Sequence, residues 1–245
     1  MTNSTILYIP GWSFDDEFEM LNGQDSFVTQ PSRIKTFSFS SGLSVFDLRK
    51  KLQEEIEIID TKATIVAWSL GGMLALDVAK RYQNKIDKII LISTTPRFTR
   101  LNHDNWNVGW PEKIIMAMSK KIQNDEQSVL KTFRQKLFSD KEVELGLYKR
   151  FSNKFWFTKT KWKTKTLLSG LEYLKNKDLR DDVPKIYVPT FIIHGTGDKI
   201  SPLTAGRWLG ENLPNAKLHE IKDAGHIPFV TFPKQFGNAF QEFLT

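Results

Sequence analysis

At 245 residues, with 40% apolar and 26% charged side chains, the chain can bury a full core and is too apolar to stay disordered. It contains no cysteine, which excludes thiol catalysis, disulfides and cysteine-ligated metals; a reducing, cytoplasmic setting is expected. The net charge is +7, no run of 18 apolar residues marks a membrane span, and no signal-peptide pattern opens the chain, so neither membrane attachment nor export is expected.

"TILYIPG" (5–11) reads as a short buried strand ending in a Pro-Gly turn. "RIKTFSFS" (33–40) reads as a second strand. "SVFDLRKKLQEEIEIID" (44–60) has helical periodicity, with Ser44 placed to cap it and Asp47 at the reciprocal position. "KATIVAW" (62–68) is a continuous apolar strand. "LGGMLALDVAKRY" (70–82) is a helix with Leu74, Val78 and Tyr82 at four-residue spacing, and "IDKIILIST" (86–94) is another buried strand. Strand, helix and strand with short connections predict parallel strands and right-handed crossovers.

After Arg97 the pattern changes. Up to about Asp182 the apolar residues are mostly aromatic and helical in spacing, as in "EKIIMAMSKKIQ", "SVLKTFRQKLF" and "KTLLSGLEYLKN", with no strong strand. A helical insertion over 97–182 is expected, set into a sheet domain made of 1–96 and 183–245. The sheet pattern resumes with "IYVPTFIIHG" (186–195), then a helix "PLTAGRWLGENL", a strand "AKLHEIKD" and a final helix "PKQFGNAFQEFL".

Ser69 falls between a strand and a helix, where a nucleophile elbow presents its hydroxyl. Ala67 and Gly71 are the small neighbours such a turn needs, and Gly72 allows close helix–sheet approach. The usual signature has glycine where Ala67 stands. A serine that only caps the following helix is the competing reading. Hydroxyl attack needs a base, and the base an orienting acid. Of four histidines, His226 lies in the loop after "AKLHEIKD", His194 at the end of an apolar strand, His219 inside a strand and His103 at the start of the insertion. Ser69, Asp198 and His226 all follow strands, in the order serine, acid, histidine. Asp223 is a local rival for the acid and His194 for the base. The Leu70 amide and the Trp12 amide, in a loop that Gly11 lets fold close, are candidate oxyanion donors. No histidine pair has metal-ligand spacing, so neither metal nor cofactor is expected.

With Gly11-Trp12, the elbow Ala67–Gly72, the segment His194–Asp198 and Ala224–His226, the chain resembles the α/β-hydrolase superfamily over nearly its whole length. The resemblance implies a mostly parallel sheet flanked by helices, with a helical cap inserted after the strand near 86–93. "WSLGG", "STTPRFTR" (93–100) and "GWP" (109–111) narrow it to the pimeloyl-acyl-carrier-protein methyl ester esterases of biotin synthesis. It then implies Ser69 as nucleophile, His226 as base, Asp198 as its orienting acid, and Trp12 and Leu70 as oxyanion amides. The implied substrate is a methyl ester at the far end of a pimeloyl chain held by an acidic acyl-carrier protein. Independently, the segment from Leu101 to Asp182 holds 17 basic against 11 acidic residues, and Leu145 to Leu171 holds seven basic and no acidic ones. Arg134, Lys149, Arg150, Lys154 and Lys161 are the candidate carrier-docking residues; a solvated lysine face is the plain alternative. Phe98, Trp106, Trp110, Phe133, Phe155 and Trp162, with Trp12 and Trp68, are candidates for an acyl channel, against ordinary packing. Within the fold, a general carboxylesterase, lactonase, C–C hydrolase or perhydrolase remains open. No nucleic-acid reading module is present, and a monomer is expected.

Overall fold

The computed structural model of the chain describes residues 5–15, 33–39, 42–100, 106–153 and 160–244. Strand β1 (Thr5–Ile9) is buried from Ile6 onward and gives way at Pro10 to a turn. Strand β2 (Arg33–Thr36) pairs parallel to it. It is shorter than the sequence predicts: the ladder stops at Thr36, while Phe37 and Phe39 still turn inward to the core. Helix α1 (Val45–Glu57) starts at Ser44 with both bonds of the capping box to Asp47 formed, and it buries one stripe, Val45, Leu48, Leu52 and Ile56.

Strand β3 (Ala63–Trp68) is buried at every position, as a strand covered on both faces must be. Helix α2 (Leu70–Tyr82) follows after one residue, then strand β4 (Ile86–Ile92). Strand β7 (Thr190–Gly195) and strand β8 (Ala216–Ile221) complete the sheet, in the order β2-β1-β3-β4-β7-β8. Every pairing among the described strands of this sheet is parallel. The sequence pattern has β7 starting at Ile186; it starts after Pro189, which has no amide to give a ladder.

Between β4 and β7 the chain inserts a mainly helical segment. Two-residue strands β5 (Thr99–Arg100) and β6 (Trp110–Pro111) pair with each other, a small ladder that the sequence pattern does not show. Helix α3 (Glu112–Gln135) spans both "EKIIMAMSKKIQ" and "SVLKTFRQKLF". It breaks at Asp125 (φ −151°, ψ 70°), whose Oδ1 accepts the Ser128 amide at 3.1 Å and so caps the second half. Short helices α4 (Asp140–Glu144) and α5 (Leu147–Phe151) lead to α6 (Thr164–Asn176), which packs on α3 and α1. The two ends of the insertion meet: Arg97 bridges Asp178 through backbone and ion pair, and the Leu179 amide donates to Pro96 O at 3.0 Å. Helix α7 (Leu203–Asn212), the short helix α8 (Pro228–Thr231) and helix α9 (Pro233–Leu244) finish the chain. Among the described residues no helix is long and apolar enough to cross a membrane.

The strand order places the site. From β1 the chain steps to one side, to β2; from β3 it steps to the other, to β4. Loops leaving β1 and β3 therefore diverge, opening a crevice at the carboxyl ends of the strands. Trp12 follows β1, and Ser69 follows β3.

Candidate active site

Ser69 occupies the N-cap position of α2, yet its side chain makes no capping bond. Its backbone sits at φ 55°, ψ −118°, a conformation that costs a residue with a β-carbon about 1–3 kcal/mol. Two bonds hold it there: the Ser69 amide donates to Ile92 O at 2.9 Å, and Thr94 Oγ1 donates to Ser69 O at 2.7 Å. The turn also needs bare backbone. A β-carbon on Gly71 would lie 2.2 Å from Ile9 O, and one on Gly72 would lie 2.5 Å from Thr94 Oγ1. Ala67, where glycine is usual, buries its methyl completely within β3, and the elbow forms around it.

The hydroxyl faces a histidine instead of the helix. Ser69 Oγ lies 2.8 Å from His226 Nε2, and His226 Nδ1 lies 2.7 Å from Asp198 Oδ2. Asp198 sits in the turn after β7, and its Oδ1 accepts the amides of Ile200 (2.8 Å) and Ser201 (3.0 Å). Burial would push the Asp198 carboxyl up. The charge of His226, its hydrogen bond and the nearby His194 ring outweigh burial and hold it well below the usual carboxylate range. An ionised Asp198 fixes the proton of His226 on Nδ1, which leaves Nε2 free to accept from Ser69.

The two rivals fall elsewhere. Asp223 has a positive φ, 65°, and its amide donates to Thr196 Oγ1; the acid bonded to His226 is Asp198. His194 is fully buried and donates from Nε2 to Ser201 O at 2.7 Å, with Asp198 Oδ2 at 3.5 Å. It therefore braces the acid turn. His103 lies outside the described residues.

Trp68 holds the base from behind. Its Nε1–H donates to the His226 carbonyl at 2.9 Å, its ring centroid lies 5.6 Å from that of His226, and Phe14 and Phe229 pack on it at 4.9 and 5.3 Å. Only 2% of the residue is exposed, so its indole acts as a support for His226 more than as a substrate face. Gly11 leaves room for it, since a β-carbon there would lie 2.9 Å from the Trp68 ring. A bond to a carbonyl 158 residues away has no sequence pattern to betray it.

Trp12 stands in the turn after β1. Its indole N–H donates to Leu167 O at 2.9 Å, and its ring meets Phe133 edge-on at 4.9 Å. Gly170 makes space, because a β-carbon there would lie 2.6 Å from Trp12 Cδ1. Leu70 is the first residue of α2, so its amide is a helix-start N–H with no intrahelical acceptor.

The aromatic candidates separate into groups. Phe98, Trp110 and Phe133 form a contact chain at 5.6 and 6.5 Å that ends on Trp12. Trp162 stacks on Phe39 at 4.5 Å and donates to Phe14 O. Trp106 packs away from these, on Trp208 and under Arg180. Phe155 and Lys154 lie outside the described residues. Of the basic candidates, Lys149, Arg150 and Lys161 are exposed. Arg134 is buried, with its guanidinium 5.4 Å from the Phe14 ring. It borders a cavity of about 480 Å³ that Gln127, Lys131, Tyr148 and Asn153 also line.

A sequence profile of the alpha/beta hydrolase fold matches residues 48–233. The chain belongs to the α/β-hydrolase family. Among the relatives of this α/β-hydrolase is the pimeloyl-[acyl-carrier protein] methyl ester esterase of Nitrosospira multiformis, 28% identical over 185 residues, covering 76% of this chain and 69% of the relative. The protein of the same name from Chromobacterium violaceum is 30% identical over 182 residues, covering 74% and 70%. An esterase from Exiguobacterium antarcticum superposes with a TM-score of 0.82 at 21% identity, over 98% of this chain and 91% of that one; that likeness is one of fold. The Ser69–His226–Asp198 arrangement makes this α/β-hydrolase a serine hydrolase.

Proposed function

We propose that the protein hydrolyses carboxylic esters through an acyl-Ser69 intermediate. The observation that carries this is the unbroken hydrogen-bond chain from Ser69 Oγ through His226 to Asp198. His226 takes the Ser69 proton as Oγ attacks the ester carbonyl. The amides of Trp12 and Leu70 stabilise the tetrahedral oxyanion, and His226, now a cation steadied by Asp198, protonates the leaving alcohol. Water, activated by the same histidine, then releases the acid. A small-ester hydrolase or lactonase is as far as the catalytic groups reach.

Two observations favour one particular ester, the methyl ester of a pimeloyl chain on an acyl-carrier protein. Relatives that align with about three quarters of the chain, at 28% and 30% identity, carry that name. The excess of basic residues falls in the insertion, where exposed Lys149, Arg150 and Lys161 match an acidic protein, and the groove lined by Lys131 and Arg134 adjoins Tyr148.

One experiment tests both levels. Turnover of the carrier-bound methyl ester is compared with free methyl, p-nitrophenyl and lactone substrates, for the natural chain and for Lys149→Glu with Arg150→Glu. Hydrolysis of free esters is expected in both proteins. The double charge reversal is expected to lower kcat/KM for the carrier-bound ester about tenfold, from about 0.5–1 kcal/mol per exposed charge pair, and to leave free esters within about twofold. Equal losses on both substrates would refute carrier docking, and no turnover of any ester would refute the ester reading.

A further inference from the structure

One short stretch of the insertion, Leu137–Glu142, touches the loops around Asp198 and His226. Leu137 O accepts the His226 amide at 2.7 Å. Ser139 Oγ donates to Asp223 O at 2.6 Å. Ser139 Cβ also packs into the space left by Gly197, where a β-carbon would fall 2.6 Å from it. Glu142 is fully buried, its Oε2 accepts the Ser139 amide at 2.8 Å, and the same oxygen lies against Gly225, one residue before the base. Gly225 is held so tightly that a β-carbon on it would lie 2.4 Å from Leu137 O and 2.6 Å from Glu142 Oε2.

The Ser139–Glu142 pair is a capping box for α4, but capping does not account for its burial. A five-residue helix has little stability of its own to protect, and a capping box works equally well on the surface. Burial raises the Glu142 carboxyl above its ordinary value, against the bond from Ser139, and the charge of nearby Asp198 raises it further. A buried carboxyl is tolerated where it satisfies buried donors, and the donor here belongs to Ser139, the residue whose hydroxyl bonds the loop before the base at Asp223 O.

We propose that Glu142 is a positioning residue for His226: by fixing Ser139 and packing against Gly225, with Leu137 O and Ser139 Oγ beside it, it sets the reach of Nε2 towards Ser69 from the cap side. The cap thus forms part of the mounting of the base. The proposal rests on the hydrolase reading of the triad and not on the choice of ester.

The test compares Glu142→Ala, Glu142→Gln and Ser139→Ala with the natural chain. It uses kcat and KM on a p-nitrophenyl ester, the second-order rate of Ser69 modification by a fluorophosphonate, and the fraction of sites that titrate. Glu142→Ala is expected to lower kcat per titratable site at least tenfold, with KM within about twofold, and to slow phosphonylation by a similar factor. Glu142→Gln, which keeps an oxygen for the Ser139 amide, is expected to retain a third or more of the natural rate. A purely structural role would lower the melting temperature and the titratable fraction while leaving kcat per site unchanged; that result overturns the proposal, as does an equal loss in Gln and Ala. If Glu142→Ala does not fold, Ser139→Ala decides, with a several-fold lower kcat at unchanged KM expected and an unchanged kcat contradicting. A protein that reacts with the fluorophosphonate but turns over no ester refutes the ester reading, while the phosphonylation rates still decide the role of Glu142.

Discussion

Ser69 keeps a positive φ because its neighbours leave it no alternative: glycines at 71 and 72 let β1 and Thr94 close in, and Ile92 and Thr94 fix its backbone. The same packing turns its hydroxyl from the helix start to His226. Asp198 gives this arrangement a defined pH response. Its carboxyl titrates below the usual range, so the stability it contributes is present above the unfolded value of about 3.9 and is lost only as pH falls through the lower folded value. From neutrality down to about pH 4, Asp198 therefore stays ionised and its bond to His226 persists. Acid exposure down to about pH 4 is expected to leave the fold intact by circular dichroism, and activity is expected to reverse fully on return to neutral pH. Unfolding, or irreversible loss of activity, above about pH 4 would show that Asp198 titrates or the fold fails in that range. The three triad residues were legible because each follows a strand, where parallel sheets gather their functional loops. The support from Trp68 and the brace from His194 were not, since each is a contact made only by the folded backbone.

At the scale of elements, helix α6 ties the insertion to the sheet half through Asp77 on α2. Tyr173 Oη donates to Asp77 Oδ2 at 2.9 Å, Lys177 Nζ lies 2.7 Å from Oδ1, and Arg49 Nη1 lies 3.7 Å from Oδ2. Burial, then the charge of Asp77, pushes the Tyr173 phenol well above its ordinary value, so it remains a donor throughout the working pH range. Tyr173→Phe removes one bond and leaves Asp77 its two cations. A loss of about 1 kcal/mol is expected from urea unfolding, with ester turnover nearly unchanged; a loss of turnover matching that of a triad variant would mean that the tie also sets the site. Helices and strands were largely legible here, from periodicity in α1 and α2 and from continuous apolar runs in β3 and β4. The kink of α3 was not, because Asp125 reads as an ordinary polar helix residue until its side chain is seen capping Ser128. The late start of β7 was in principle readable, from Pro189.

For the whole molecule, topology and charge act separately. The sheet order puts the nucleophile and the proposed oxyanion loop on two strands whose connections diverge, and residues of the insertion pack on Trp12 in that loop. Packing of Trp12 with Leu167 and Phe133 joins the insertion to the turn after β1. The basic excess lies almost wholly in the insertion, so it bears on which partner arrives and not on how the ester is cleaved. That division explains why fold and triad could be read from residues, whereas the acyl substrate follows from resemblance and surface charge.

The most direct measurement of the central claim is fluorophosphonate labelling with peptide mass spectrometry, run beside ester turnover. One equivalent of label is expected on the peptide carrying Ser69, with turnover falling in step with labelling. Ser69→Ala is expected to fold, to take no label and to lose turnover by at least about a thousandfold. Full labelling with turnover intact, or natural turnover by Ser69→Ala, would contradict the assignment of Ser69 as the nucleophile.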